Sequence, residues 1–361
     1  MNPKTFEELQ NDFKSFHNPE YYLGIDIGGT NTRIILSIEQ STYEVSTFKA
    51  SKVVDLIEGV KSADTKLYPL LQNPPLATCC CMAGPTSNVD RYRFTNYDQS
   101  DAVLDPVQLP QRLCPSGKTF FLNDLESGCY GLISLIKHNL VGFYTKQFTS
   151  IVIPTRPSTS EIFVVMAPGT GLGVGLINHK KGQYYVSPSE FGHIQISPHG
   201  PNHPNYKEEQ ALLNNIIPNE DPTRQFSLEY EDIVSGRGLV ACYKYYSGGD
   251  TKLGHDIAHE ANASSDPENA SVKAMKAHYA YLFKGAQELA VGLKATGVYL
   301  IGDNIVHNSR FFDANRPFLL DQFYCHPKKA WIENTPINIQ TVQTNLNLLG
   351  TVYYARHHGQ L

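Results

Sequence analysis

The chain reads as a two-domain α/β protein built by duplication, and three observations predict it. Tyr21–Ile27 has the apolar character of a buried strand, enters the pair Gly28-Gly29, and gives way to a second strand pattern at 33–38. The scheme then returns: apolar Ile162–Ala167 enters Pro168-Gly169-Thr170-Gly171-Leu172-Gly173, and Val174–Ile177 leaves it. The length of 361 residues also exceeds the usual span of one domain. Glycines between two apolar runs are a hairpin signal. The first turn is further decorated by Asp26 before it and Thr30, Asn31, Thr32 and Arg33 after it. A turn that only reverses the chain needs none of these groups. Bare glycine backbone offers N–H groups to an anion, so both turns are expected to face phosphate. Neither matches G-x-x-x-x-G-K-[ST], and neither leads from a strand into a helix. That context excludes the P-loop and Rossmann readings.

In chain order, residues 1–19 read as a helical or loose extension. Strands at 21–27, 33–38 and 44–50 form an antiparallel meander. A helix at 53–71 ends near Pro74-Pro75, and a strand at 77–83 leads to a turn at Gly84-Pro85. Cys79-Cys80-Cys81 lies inside that apolar run and reads as buried strand. Thr119–Leu122 is a short buried strand that runs into Asn123-Asp124. The helical spacing of 125–140 follows, with Leu125, Leu132, Ile133 and Ile136 on one face. The second half predicts strands near 150–153, 162–167, 173–178 and 193–197, and helices at 207–217, 230–246 and 252–263. The longest helical pattern, 270–295, places Met275, Tyr279, Leu282, Ala286, Leu289 and Leu293 three or four residues apart. A strand at 297–302 and a closing helix at 346–358 complete the chain.

Composition narrows the function. A hydrophobic content of 41% suffices for a large core, and a net charge of -5 disfavours nucleic acid as a partner, since phosphate backbones call for a basic surface. The seven cysteines include no Cys-x-x-Cys pair and suit a reducing compartment. No apolar run approaches the ~20 residues of a membrane span. The polar start is neither a signal nor a transit peptide, so a cytosolic protein without membrane contact is expected.

Several motifs agree with one family. Gly24-Ile25-Asp26-Ile27-Gly28-Gly29-Thr30-Asn31, Leu122-Asn123-Asp124, Ala167–Gly173, Glu190-Phe191-Gly192-His193, Glu231–Val240, Gly302-Asp303 and Asn345–Gly350 occur in order across residues 20–358. In this the chain resembles the bacterial-type glucokinases of the sugar kinase, actin and Hsp70 fold. Phe191 stands where the family often has glycine, and Asp303 stands where it often has a second glycine. The Cys-rich zinc motif of the related repressor and kinase group is absent.

The resemblance implies duplicated ribonuclease H-like (actin-like ATPase) domains with a cleft between a small domain, 1–134 plus 343–361, and a large one, 135–342. It implies ATP-dependent phosphorylation of glucose at O6. Asp124 aligns with the family's catalytic Asp and is the expected general base, a group that must accept the hydroxyl proton during attack. From local sequence, Asp124 also reads as a helix N-cap before Leu125. Asn123, Asp124, Glu190, His193 and Glu231 are the expected glucose contacts, since carboxylates, an amide and an imidazole match a ring of hydroxyls. Asp26, Gly28, Gly29, Thr30, Asn31, Gly169, Thr170, Gly171, Gly302 and Asp303 are the expected ATP contacts. Asp26 is the expected Mg²⁺ carboxylate, acting through water. A homodimer is implied by the resemblance alone. His199-x-x-x-His203 has metal-like spacing, but Gly200, Pro201 and Pro204 break any helix there, so it reads as a loop.

Two other function classes fit parts of the pattern. One is a sugar-sensing protein without turnover, against which stand the retained Asp124 and both glycine turns. The other is an actin-like or chaperone-like ATPase, which has no use for Asn123-Asp124, Glu190 and His193.

Overall fold

The computed structural model describes residues 3–17, 19–29, 31–86, 90–149, 160–220 and 227–358. In chain order its elements are α1 (Phe6–Asp12), β1 (Tyr21–Ile27), β2 (Thr32–Ile38), β3 (Ser41–Phe48), α2 (Val53–Leu67), β4 (Ala77–Met82), β5 (Tyr92–Arg93), β6 (Val103–Leu104), β7 (Thr119–Asn123) and α3 (Asp124–Lys137). Then follow α4 (Val141–Tyr144), β8 (Thr145–Gln147), β9 (Ser160–Pro168), β10 (Leu172–Lys180), β11 (Gln183–Ser189), α5 (Tyr206–Glu220), α6 (Gly236–Tyr246), α7 (Gly254–Ala263) and α8 (Ala270–Leu293). The chain ends with β12 (Gly297–Leu300), α9 (Asp303–His307), α10 (Ser309–Ala314), α11 (Arg316–Tyr324), α12 (Lys329–Ile332), β13 (Ile337–Gln340) and α13 (Leu346–His358). Two units result: residues 1–141 with 344–361, and residues 142–343.

The two sheets repeat one topology. In the first, the order is β3-β2-β1-β4-β7; β1, β2 and β3 form an antiparallel meander, and β4 and β7 run parallel to β1. In the second, the order is β11-β10-β9-β12-β13-β8; β9, β10 and β11 form the meander, and β12 and β13 run parallel to β9. An extra antiparallel strand, β8, closes the far edge. Each unit is therefore a ribonuclease H-like sheet, and the pair is the duplication of the actin-like ATPase fold. The central strands are buried on both faces, which is why β1 and β4 read as unbroken apolar runs rather than alternating ones.

In the first unit, helices α3 and α13 meet backbone to backbone. A Cβ on Gly350 would fall 1.7 Å from the Ser127 carbonyl oxygen, and one on Gly131 would fall 2.1 Å from that of Leu346. The Ser127 hydroxyl donates to the Asn347 carbonyl at 2.7 Å across the same contact. Gly24 in β1 lets α13 approach the sheet, since a Cβ there would meet Thr351 Oγ1 at 2.4 Å. The apolar core on the other face joins α2 to the sheet through Leu56, Val60, Ala63 and Leu67. In the second unit, α8 is buried along most of its length, including Met275, Tyr279, Leu282 and Ala286.

Several sequence expectations need correction. The strand expected at 193–197 is a 3₁₀ turn at Phe191–His193 followed by a single bridge, Gln195 to Glu229. The helix expected at 230–246 is split: a 3₁₀ turn at Tyr230–Asp232, then a new start at Gly236, where the Ser235 hydroxyl accepts from the Gly238 N–H at 3.1 Å. That serine N-cap is a stop-and-restart signal which apolar spacing hides. Strand β11 follows a two-residue turn, Lys181-Gly182, with both residues at positive φ; its residues are exposed or half-buried, so it forms no apolar run. The strand expected at 150–153 lies outside the described residues.

Candidate active site

In the first unit, the polar residues collect at the carboxyl ends of β1 and β7, where open α/β sheets hold their ligands. Asp26 is the penultimate residue of β1 and is half-buried. Its Oδ1 accepts the Cys81 thiol at 3.0 Å, and its Oδ2 accepts the Asn345 side-chain amide at 2.6 Å. Both donors are uncharged. Beyond β1 the Gly28 N–H donates to the Asn31 carbonyl at 3.2 Å, and this closes the turn. A Cβ at Gly28 would sit 2.9 Å from that carbonyl, and one at Gly29 would sit 3.1 Å from the Asn96 side chain. Gly29 is exposed, so its backbone is open to a ligand. Thr30 lies outside the described residues.

Asn123 ends β7 and Asp124 opens α3. Asn123, rather than Asp124, is the N-cap: its Oδ1 accepts from the Leu125 N–H at 3.0 Å, and its amide donates to the Gly84 carbonyl at 3.3 Å. Asp124 is the first helical residue and its Oδ1 lies 2.8 Å from the same N–H. The local reading of Asp124 as the cap is thus corrected. A carboxylate in a first helical turn is stabilised by the helix dipole.

In the second unit, the β9–β10 turn is closed by the Gly169 N–H donating to the Gly171 carbonyl at 2.7 Å. Thr170 at its tip is exposed. Two other segments are tied to this turn. The Gly236 N–H donates to the Gly169 carbonyl at 2.9 Å, and the Asn304 amide donates to the Pro168 carbonyl at 3.1 Å. Glu231 also reaches it: its Oε2 accepts the Leu172 N–H at 2.9 Å, and a Cβ on Gly171 would meet that oxygen at 2.4 Å. Only glycine leaves room for this carboxylate. Gly302, at φ +104°, donates its N–H to Gln340 Oε1 at 2.9 Å, and Asp303 begins α9, exposed.

Glu190 precedes the 3₁₀ turn at Phe191–His193, and His193 ends it. Glu190 is 86% exposed in its side chain, and its carboxylate stands 4.0 Å from His193 Nε2. His193 Nδ1 pairs with Glu229 Oε2 at 2.9 Å. Glu229 is in turn fixed by a reciprocal capping box with Asp232, whose carboxylate accepts the Glu229 N–H at 2.8 Å. The Glu229 carboxylate, with smaller help from Glu231 and Glu190, holds the His193 pKa above its ordinary 6.5. A raised pKa in the folded state adds stability in full below the unfolded value of about 6.5, and this is lost as pH rises through the folded value. In an NMR pH titration the His193 midpoint is therefore expected above 6.5, and Glu229→Gln is expected to lower it. An unchanged midpoint in that variant would remove Glu229 as the cause.

Sequence reasoning missed Cys81, Asn345, Glu229, Asn304 and Gln340. Asn345 was visible within the ordered motif 345–350 but had no assigned task. Cys81 read as plain strand; its register opposite Asp26 in the parallel β1–β4 pair is what gives the thiol its partner.

Two sheets of this topology, each with a glycine turn and fixed carboxylates at its strand ends, place the chain in the actin-like ATPase fold, to which the sugar kinases belong. Known proteins narrow the class. The family model for glucokinase matches residues 23–358. Glucokinase 1 of Trichomonas vaginalis is 31% identical over 362 residues, which cover 92% of each chain. The crystal structure of glucokinase from Balamuthia mandrillaris in complex with glucose superposes with a TM-score of 0.85 at 34% identity, over 97% of this chain and 99% of that one. The fold alone extends to a ROK family glucokinase from Streptomyces griseus, solved with glucose and AMPPNP. Its TM-score is 0.58 at 16% identity, over 93% of this chain and 99% of that one. The chain belongs to the glucokinase family.

Among the described residues no helix is long and apolar enough to cross a membrane.

Proposed function

We propose that the chain is an ATP-dependent glucokinase that transfers the terminal phosphoryl group to O6 of glucose, with Asp124 accepting the proton of the attacking hydroxyl. The observation that carries this is the family match across residues 23–358, a span that contains all the candidate site residues. Phosphoryl transfer asks little covalent chemistry of the protein and depends on positioning and charge. Asn123, Asp124, Glu190, His193 and Glu231 are the proposed glucose contacts. Gly28, Gly29, Thr30, Asn31, Gly169, Thr170 and Gly171 are the proposed phosphate contacts, with Gly302 and Asp303 near the adenosine. A cytosolic homodimer is the proposed setting.

Magnesium fits the donor set at Asp26. A carboxylate has about four lone-pair sites, and the Cys81 thiol and Asn345 amide occupy one direction on each oxygen. The rest can accept from metal-bound waters, which magnesium retains readily. The ion's contribution when bound is to neutralise charge on the transferring phosphates. Asn345 and Cys81 orient the carboxylate that would hold it.

The test is a matrix of phosphoryl donors against hexoses on the purified protein. Glucose-dependent formation of ADP and glucose 6-phosphate is expected with ATP. Nucleotide hydrolysis without any sugar requirement would replace this reading with an ATPase. Sugar binding without turnover would replace it with a sensor.

One residue joins the two halves of the proposed chemistry in the second unit. Gly171→Ala would push the Glu231 carboxylate off the Leu172 N–H. The KM for glucose is expected to rise roughly tenfold, the equivalent of one charged hydrogen bond of about 1.5 kcal/mol, with the fold retained by circular dichroism. An unchanged KM would separate Glu231 from the sugar.

A further inference from the structure

We infer that His199, His203 and Cys325 form a binding site for a divalent metal ion, with zinc the best match. The site would tie the loop that follows His193 to the end of α11. The ligand atoms of these three side chains lie within 4.8 Å of one another, and all three residues are partly buried. They come together from distant segments, the 199–203 loop and the residue just after Tyr324. The Pro-Asn loop between the two histidines, which argues against a helical metal motif, is what brings them side by side: the His203 N–H donates to the Gly200 carbonyl at 2.9 Å, and the rings stack with centroids 4.0 Å apart and planes 15° apart, so one ring must rotate before both lone pairs meet at a single ion.

The second observation is the orientation of His199. Glu209 on α5 takes its Nδ1 at 2.7 Å through Oε1 and its backbone N–H at 2.8 Å through Oε2. The His199 side chain is only 10% exposed and that of Glu209 only 15%. A carboxylate that fixes one ring nitrogen leaves the other as the ligand atom, and this pairing recurs behind metal-bound histidines. Two imidazoles and one thiolate are a zinc donor set, and three protein ligands leave the fourth tetrahedral position for water. Zinc bonds of about 2.0–2.3 Å place ligand atoms under roughly 4 Å apart, so binding draws the ligand atoms in by about 1 Å and turns one imidazole out of the stack.

The protons balance simply. Cys325 gives its thiol proton to solvent as the sulfur–metal bond forms. The Asn205 N–H now donates to His203 Nδ1 at 3.2 Å, and a metal bound through either nitrogen of that ring displaces this long contact. The charged groups around the cluster are Glu209, Asp321 and Lys284; burial and the two carboxylates push the Cys325 thiol pKa up, and Lys284, which donates to the Ser197 carbonyl in the same loop, only partly opposes them. None of the proposed glucose or ATP contacts belongs to the cluster, so its role is to hold a loop rather than to react.

The experiment reads metal rather than turnover. The full chain, freed of metal with a chelator and titrated with zinc chloride, is expected to retain about one zinc per chain after desalting, by elemental analysis. Refilled with cobalt(II), it is expected to show a thiolate-to-cobalt charge-transfer band in the near ultraviolet. Cys325→Ser is expected to lose that band and most of the zinc while keeping its circular dichroism spectrum and glucose phosphorylation. His203→Ala supplies a second variant with the same expectation for zinc. Failure of the wild-type chain to retain zinc would overturn the proposal. So would equal retention by wild type and both variants, which would put the ion elsewhere.

Discussion

Asp124→Ala is expected to slow glucose phosphorylation about 10²–10⁴-fold, the usual loss when a general base is removed. Glucose affinity, measured by calorimetry, should change much less, because Asn123, Glu190, His193 and Glu231 remain. A circular dichroism spectrum and melting curve of the variant separate any loss of helix stability from loss of the base. The cap of α3 is Asn123, whose side-chain Oδ1 accepts the Leu125 N–H, so alanine at position 124 removes the second acceptor of that N–H but keeps the cap. What disappears is a carboxylate at the first helical position. Asp124→Asn keeps the shape and removes the charge, and should be almost as slow. Near-normal turnover in both variants would reject Asp124 as the base and leave the glucokinase assignment itself standing, since that rests on the family match and not on one residue.

Gly350→Val is expected to be the most damaging single change away from the chemistry. A Cβ at 350 would stand 1.7 Å from the Ser127 carbonyl and 2.9 Å from the Gly131 nitrogen. Both are helix backbone, so no side chain can swing aside. Overpacking of a core commonly costs about 1–3 kcal/mol, and a clash with backbone belongs at or beyond the upper end. At ~3 kcal/mol the melting temperature of a unit this size would fall by roughly 6–12 °C. The damage should also reach Asp26. Asn345 accepts the Leu348 N–H at 2.8 Å through Oδ1, which caps α13, and donates to Asp26 through its amide. Displacing α13 therefore moves the group that orients the proposed magnesium carboxylate, and the KM for Mg-ATP should rise in whatever protein still folds. Thermal melting that matches wild type would mean that α3 and α13 are not in backbone contact.

Much of this architecture was legible in the residues. Gly28-Gly29 and Gly169-Thr170-Gly171 each stand between the first two strands of a sheet. Asn123-Asp124 stands at a strand-to-helix junction. The 3.6-residue spacing of Met275, Tyr279, Leu282 and Ala286 located α8 to within a few residues. The failures have local causes as well. Ser235 as an N-cap broke one expected helix into two pieces. Strand β11, exposed on one face at the sheet edge, has too few apolar residues to announce itself.

Contiguous residues, then, were enough for the glycine turns, the carboxylate at the start of α3, the periodic helices and the order of family motifs, because each is a pattern of near neighbours acting on backbone geometry. The tertiary fold alone decided the partners. Asn345 meets Asp26 across 319 positions, Glu229 meets His193 across 36, and Cys325 joins two histidines more than a hundred residues before it. Periodicity states which face of an element is buried. It does not state what lies against that face, since this depends on strand register and on how closely two backbones approach. Here the glycines at 24, 131, 171 and 350 set those approaches, and each acquires its meaning only from the atom that a side chain would have struck.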